Sequence, residues 1–379
     1  MQLTGLRITF INSDIVSGVN PSIWVMFLIF AFWGVKRKII FCREECVMLA
    51  SCIAYMGICG IVGTSSNSMN LIRVFLSLSV LSLLLKSDYE LKKIILNVVV
   101  AYYFSECFLA IIERIFQTNF ISVSLDPLFL DNSVSSIRAG FRSASLHSHP
   151  LQGALMVSVV MAFIYITDYK PLIKMGMLFV GLLALLSFNT RSSIAYWVVM
   201  ISIYIIYLII IKKTKGRYKC LGILAMAVAF AAGLYLIRQG WAGRLVELSL
   251  FDKHSAQIRV DVLSVLNDFS VQYFLWGVPA DVGTMIFKRN GVFIMENYWI
   301  SFVMNWGVPY LVWLVICSYK ILRKYIQNYS RLGRYFPMIT FLLISSTNNS
   351  MVTGVPALLL LLLGYYGFDY FNRKEADCV

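Results

Sequence analysis

Residues 194–211 read IAYWVVMISIYIIYLIII, and residues 212–219 read KKTKGRYK. The first stretch carries no charge and approaches the roughly 20 apolar residues that a helix needs to cross a bilayer. The second is the basic flank that marks the cytoplasmic end of such a helix. Runs of this kind recur along the chain and predict spans over 20–35, 46–63, 71–85, 94–113, 151–167, 174–188, 194–211, 220–237, 298–317, 336–350 and 354–370. The 379 residues are 59% hydrophobic and only 14% charged, where a soluble domain carries about 25% charged residues. The expected fold is an all-α polytopic membrane protein. It forms one integral membrane domain over 1–379, with about eleven transmembrane helices, ten to twelve by the boundary tolerance.

The formal net charge of +14 follows from topology. Basic clusters alternate with apolar runs: KRK (36–38), KSDYELKK (86–93), DYKPLIK (168–174), KKTKGRYK (212–219), KILRKY within 320–335, and NRK (372–374). If each span crosses once, all six lie on one face, the cytoplasm, and together with Arg43 hold twenty-one of the thirty-three Lys and Arg residues. Nucleic acid is therefore not an expected partner. Ten of the twelve remaining basic residues are arginine, whereas the cytoplasmic set is fourteen lysines to seven arginines. That bias on the depleted face points to recognition of planar anions.

Two loops fall on the outer face, 114–149 and 238–297. Within the second, AQIRVDVLSVLNDFSVQYFLWG (256–277) places Ile258, Val262, Leu266 and Phe269 at helical spacing. It predicts an amphipathic helix on the membrane surface. No repeat of roughly 20–50 residues is evident. The opening MQLTGLRITF lacks the basic, apolar and small-residue order of a cleaved signal. The eight cysteines all fall in apolar spans or beside cytoplasmic clusters and none forms CxxC, so neither a disulfide framework nor a metal site is expected.

The residues that can carry chemistry cluster on the outer side. RAGFRSASLHSHP (138–150) holds Arg138, Arg142, His147 and His149 ahead of the span that Pro150 opens. Arginine binds phosphate bidentately and histidine moves protons near neutral pH. Pro150 favours a break, so both histidines are expected at the membrane face. In FNTRSSIAYW (188–197), Arg191 sits among Asn189, Thr190, Ser192 and Ser193, where a helix N-terminus favours an anion. The second loop brings Arg244, His254 and Arg259, and ends at Glu296 and Asn297. No P-loop, GxGxxG, HExxH or outward acidic pair occurs, so no nucleotide, metal or other cofactor is expected. Charges inside the spans are few, Glu106 being one, which disfavours an ion-coupled transporter.

At these residues the chain resembles the O-antigen ligase/polymerase superfamily, and within it the Wzy-type polysaccharide polymerases. Four stretches match in order: RAGFRSASLHSHPLQGALM (138–156), FNTRSSIAYW (188–197), Arg259 with WGVPADVG (276–283), and ENYWISFVMNWGVPYLVWLV (296–315). Lipid A-core ligases of the superfamily tend to carry histidine where Glu296 stands here, so the resemblance favours a polymerase. It implies a GT-C-like, metal-independent glycosyltransferase in the bacterial inner membrane with a periplasmic active face. Such an enzyme joins undecaprenyl-diphosphate-linked oligosaccharide repeat units into O-antigen or a related surface polysaccharide. Membrane lipids would surround it, and a chain-length regulator is an optional partner. On this reading Arg138, Arg142, Arg191, Arg244 and Arg259 are the candidate diphosphate ligands. His147, His149 or Glu296 would be the base, and Asn297 a sugar contact. The alternatives are an O-antigen ligase and a lipid-linked glycan flippase or exporter.

Overall fold

A computed structural model describes residues 43–62, 89–121, 141–147, 150–210, 263–291, 298–346 and 356–376, with Tyr235, Arg238 and Trp241. Among the described residues there are eleven α-helices, one short 3-10 helix and no strand. The predicted spans 20–35 and 71–85 lie outside them, as does 220–237 apart from Tyr235. Among the described residues two helices, over Leu91–Phe116 and Pro171–Phe188, are long and apolar enough to cross a membrane, and a bent helix pair makes a third if it is one span. The chain divides into two units, 1–100 with 252–379, and 101–251.

The second unit is built on the part of α2 (Tyr89–Phe116) from Ala101 onward, α3 (Pro150–Ile166), α4 (Pro171–Phe188) and α5 (Arg191–Ile210). Helix α3 is apolar on every side and buried from Gln152 to Ile164, which places it at the centre of its unit. It packs on both α4 and α5. Pro171 opens α4, where a missing N–H costs nothing. Asn189 closes it in the left-handed conformation at φ 54°.

The first unit contains α1 (Arg43–Val62), α6 (Val271–Trp276), α7 (Ala280–Arg289), α8 (Tyr298–Trp306), α9 (Val308–Ile326), α10 (Arg331–Ser345) and α11 (Pro356–Ala376). Segments whose charge predicts the cytoplasmic face meet here. Lys324 pairs with Glu44 at 3.2 Å. Lys92 pairs with Asp369, which also accepts from the Asn328 amide at 3.1 Å.

Two sequence expectations are corrected in this unit. The span predicted over 298–317 breaks at Gly307, and α8 and α9 meet at 117°. The amphipathic helix predicted over 256–277 is not continuous where described. A 3-10 turn over Val265–Asp268 ends at Phe269, and α6 starts anew with Ser270 accepting from the Tyr273 N–H. Leu266 and Phe269 pack against Val265, Val278, Ile286, Ile300 and Met304 rather than offering one lipid-facing stripe.

The bend at Gly307 and the turn between α6 and α7 use the same four residues. Trp-Gly-Val-Pro occupies 276–279 and again 306–309. Each glycine has positive φ, 84° at Gly277 and 76° at Gly307, and each proline removes a helical N–H donor. The two turns interlock. A Cβ on Gly277 would stand 2.7 Å from the Asn305 carbonyl oxygen, and one on Gly307 would stand 2.3 Å from that of Leu275. The Val278 N–H donates to the Met304 carbonyl at 2.6 Å.

The α6 and α8 carbonyls left over at Trp276 and Trp306 converge on Tyr55 of α1. Its hydroxyl donates to Trp306 and lies 3.3 Å from the Trp276 oxygen. Its ring stacks on Tyr310 at 3.9 Å between centroids. Tyr55→Phe keeps the stack and removes the donor, so it is expected to lower stability by about 1–2 kcal/mol, read as a lower unfolding midpoint in detergent. An unchanged midpoint would show that the hydroxyl contributes nothing to the crossing.

Candidate functional site

The C-terminal half of α2 carries one stripe of buried polar groups. Tyr102, Glu106, Ala110 and Glu113 recur at helical spacing, with Arg114 beside them. Residues 141–147 run along that stripe and are held at nearly every step. The Tyr102 hydroxyl lies 2.8 Å from His147 Nε2. The Ser145 hydroxyl donates to the Glu106 carbonyl at 3.1 Å, and the Ser143 hydroxyl to the Ala110 carbonyl at 2.7 Å. Arg114 donates to the Phe141 carbonyl, with its guanidinium over the Phe141 ring.

Glu113 organises the segment. Its Oε2 accepts from the N–H groups of Ala144 and Ser145 at 3.0 and 2.8 Å, and its Oε1 from Phe120 at 3.0 Å. A carboxylate that takes three backbone donors satisfies groups which an apolar surrounding would otherwise leave costly. Ser145 is thereby held at φ 54°, a backbone setting unusual for a residue with a Cβ.

The same segment is tied to the α4–α5 turn. The Ser143 N–H donates to the Ser187 carbonyl at 3.2 Å, and Arg142 Nε to the Phe188 carbonyl at 3.2 Å. Arg191 is the first residue of α5. Thus Arg142 and Arg191, 49 positions apart in the sequence, are brought to one short turn at the end of two apolar helices. Thr190 precedes Arg191, buried, and its hydroxyl has no hydrogen-bond partner among the described residues. Thr190 therefore does not cap α5 with its side chain.

His147 differs from its expected position. The break before Pro150 predicts an imidazole at the membrane face, but His147 is 0% exposed. The physical reason is the polar stripe on α2, which offers Tyr102 and Glu106 inside the unit. Burial holds His147 well below its ordinary value, at about 3, so the ring is neutral at pH 7. Arg138, His149, Arg244, Arg259, Glu296 and Asn297 lie outside the described residues.

Glu106, Glu113, Arg114 and Tyr102 are the site residues that sequence reasoning missed. Their signal was present as polar groups four, seven or eight positions apart on an otherwise apolar helix. What the spacing lacks is the identity of the partner, which lies about thirty residues further along the chain.

A separate feature lies wholly within the first unit. Trp299, Phe302, Leu314, Phe341, Leu358 and Leu361, with neighbouring side chains of α9 to α11, line a crevice of about 210 Å³. Its walls are almost entirely apolar. Among the described residues no group of three or more His, Cys, Asp or Glu side chains is arranged to hold a metal ion.

Comparison of the chain with protein-family models, with curated proteins and with solved structures finds no match in any of the three.

Proposed function

We propose that this chain is a polytopic inner-membrane glycosyltransferase of GT-C-like architecture that polymerises undecaprenyl-diphosphate-linked repeat units on the periplasmic face. The observation that carries the reading is the juxtaposition of Arg142 with the turn that bears Arg191. Two guanidinium groups at the N-terminus of a long helix suit a diphosphate, whose charge grows as it leaves. The resemblance of the four ordered motifs to Wzy-type polymerases supports the same chemistry. The apolar crevice is a surface of the kind an isoprenoid tail occupies, and it supports a lipid-linked substrate.

The reaction needs few parts. The oxygen of an acceptor hydroxyl attacks the anomeric carbon of the lipid-linked donor. The bond from that carbon to the diphosphate oxygen breaks, and its electron pair leaves with the lipid diphosphate. The hydroxyl proton passes to a base. Arg142 and Arg191 hold the departing diphosphate, with Arg138, Arg244 and Arg259 as further candidates from the two outer loops. His149 or Glu296 is the base, and Asn297 a sugar contact. His147, enclosed as it is, serves the segment rather than the substrate.

Arg142→Ala and Arg191→Ala, made separately in the native host, are each expected to cut long glycan by roughly a hundredfold. The glycan ladder on a gel should collapse toward core plus one repeat unit while protein levels stay normal. Full-length ladders from both variants would overturn the diphosphate assignment. Loss of all glycan from lipid A-core, with polymer retained on its lipid carrier, would point instead to a ligase.

A further inference from the structure

Glu106 is the group in the second unit that the reaction above leaves unused. It lies in an apolar helix, is 0% exposed, and neither carboxyl oxygen makes a hydrogen bond to a described residue. The Ser145 side chain and the Leu146 backbone N–H face the carboxyl. His147, equally enclosed, places Nε2 3.9 Å from Glu106 Oε1 and 2.8 Å from the Tyr102 hydroxyl. The other ring nitrogen, Nδ1, also has no partner among the described residues. Helix α3 closes the space from a third side, where a Cβ on Gly153 would stand 2.8 Å from Oε1. A buried ionisable residue in a spanning helix is a candidate functional site by default, because its place there costs free energy.

We infer that Glu106 and His147 form a buried site for one exchangeable proton, and that its occupancy sets whether residues 141–147 stay docked on α2. A lone carboxylate or a lone imidazolium in this enclosure would be an uncompensated charge. One proton shared between them leaves the pair neutral overall, as acid with imidazole or as carboxylate with imidazolium.

The surrounding titratable groups do not supply another balance. On α2 they are Tyr102, Cys107 and Glu113, the last already engaged with three backbone donors. The facing parts of α3 and α4 bring Gly153 and Phe188. Arg142, in the segment itself, is turned to the Phe188 carbonyl, and Arg191 stands at the start of α5.

Proton counting gives the pH dependence. Undocked, the two side chains meet water and titrate at their ordinary values, about 4.3 for Glu and about 6.5 for His. Below about 4.3 the undocked pair holds two protons, between the two values one, and above about 6.5 none. The docked pair holds one. Docking is therefore strongest between about 4.3 and 6.5, and weakens about tenfold per pH unit on either side until the docked pair itself titrates. The alkaline limb belongs to Glu106, whose proton must be regained on docking. The acid limb belongs to His147, whose extra proton must be shed.

The test is amide hydrogen exchange of 141–147 in the full-length protein in lipid nanodiscs, expressed as protection relative to the intrinsic rate at each pH. Wild type is expected to give a bell-shaped profile. Glu106→Gln, neutral and of the same size, should abolish the alkaline limb and leave protection flat above about pH 6.5. His147→Asn should abolish the acid limb. An infrared band from a protonated carboxyl, present in wild type and lost in Glu106→Gln, is expected over the same plateau. A flat wild-type profile, or a Glu106→Gln profile that follows wild type, overturns the inference. This readout involves no glycan, so its failure leaves the polymerase reading standing, and the arginine test can fail while this one succeeds.

Discussion

Gly307→Ala is expected to leave little folded protein in the membrane. At φ 76° and ψ 164° the residue sits in a region that is open essentially to glycine alone. Any other side chain there costs about 1–3 kcal/mol before it touches a neighbour. Its Cβ would then meet the Leu275 carbonyl oxygen at 2.3 Å and the Trp276 nitrogen at 2.9 Å. Both obstacles are backbone, so no rotamer change relieves them. Together the terms exceed about 4 kcal/mol, which ranks with the most destabilising single substitutions. Gly277→Ala faces the mirror-image obstacle at Asn305 and should behave alike. Gly291 also has positive φ, 64°, but nothing within 4 Å of a built Cβ. Gly291→Ala isolates the backbone term and should cost only about 1–2 kcal/mol. Size-exclusion profiles of fluorescently tagged variants check this. Monodisperse Gly307→Ala at wild-type yield would show that the two Trp-Gly-Val-Pro turns do not cross as described.

The second large effect is expected at Glu113. Glu113→Ala removes the acceptor for three backbone N–H groups, two of them on the buried residues Ala144 and Ser145. Hydrogen bonds to a charged group are worth about 1.5–3 kcal/mol each, and a buried donor left alone costs about 1–3 kcal/mol. These terms overlap, so a net loss of about 3–5 kcal/mol in the docking of 141–147 is the expectation. Exchange of the Ala144 and Ser145 amides should rise by at least about a hundredfold, since each 1.36 kcal/mol is a factor of ten. Unlike Glu106→Gln, the change should appear at every pH. Because Arg142 rides on this segment, Glu113→Ala should also shorten the glycan ladder. Unchanged amide exchange would mean that the hydroxyl and arginine contacts hold the segment without the carboxylate.

These two residues mark where sequence reasoning stops. The apolar runs over 46–63, 94–113, 151–167, 174–188 and 194–211 reappear as α1 to α5, with ends shifted by a few residues. Gly307 did not announce a break, because a lone Gly-Val-Pro inside an apolar run reads equally as a kink. The bend becomes necessary only when Leu275 and Trp276 occupy the space beside it. Glu106, read as a stray charge near the end of a span, gains its meaning from a histidine about forty positions away that the chain folds back against it. Arg142 and Arg191 were both singled out by residue type, but nothing in their spacing showed that one turn would bring them together.

Helix formation in this chain is a local matter. Each span buries its own backbone hydrogen bonds within itself, so runs of apolar residues and their basic flanks determine by themselves that the chain is helical and which ends carry the positive charge. The satisfaction of buried polar groups is not local. Which carbonyl Tyr55 serves, which amides Glu113 accepts from and what faces Glu106 are decided by segments distant in sequence. Only the tertiary structure could decide them, because an unpaired group in a medium without water costs more than any local preference can offset.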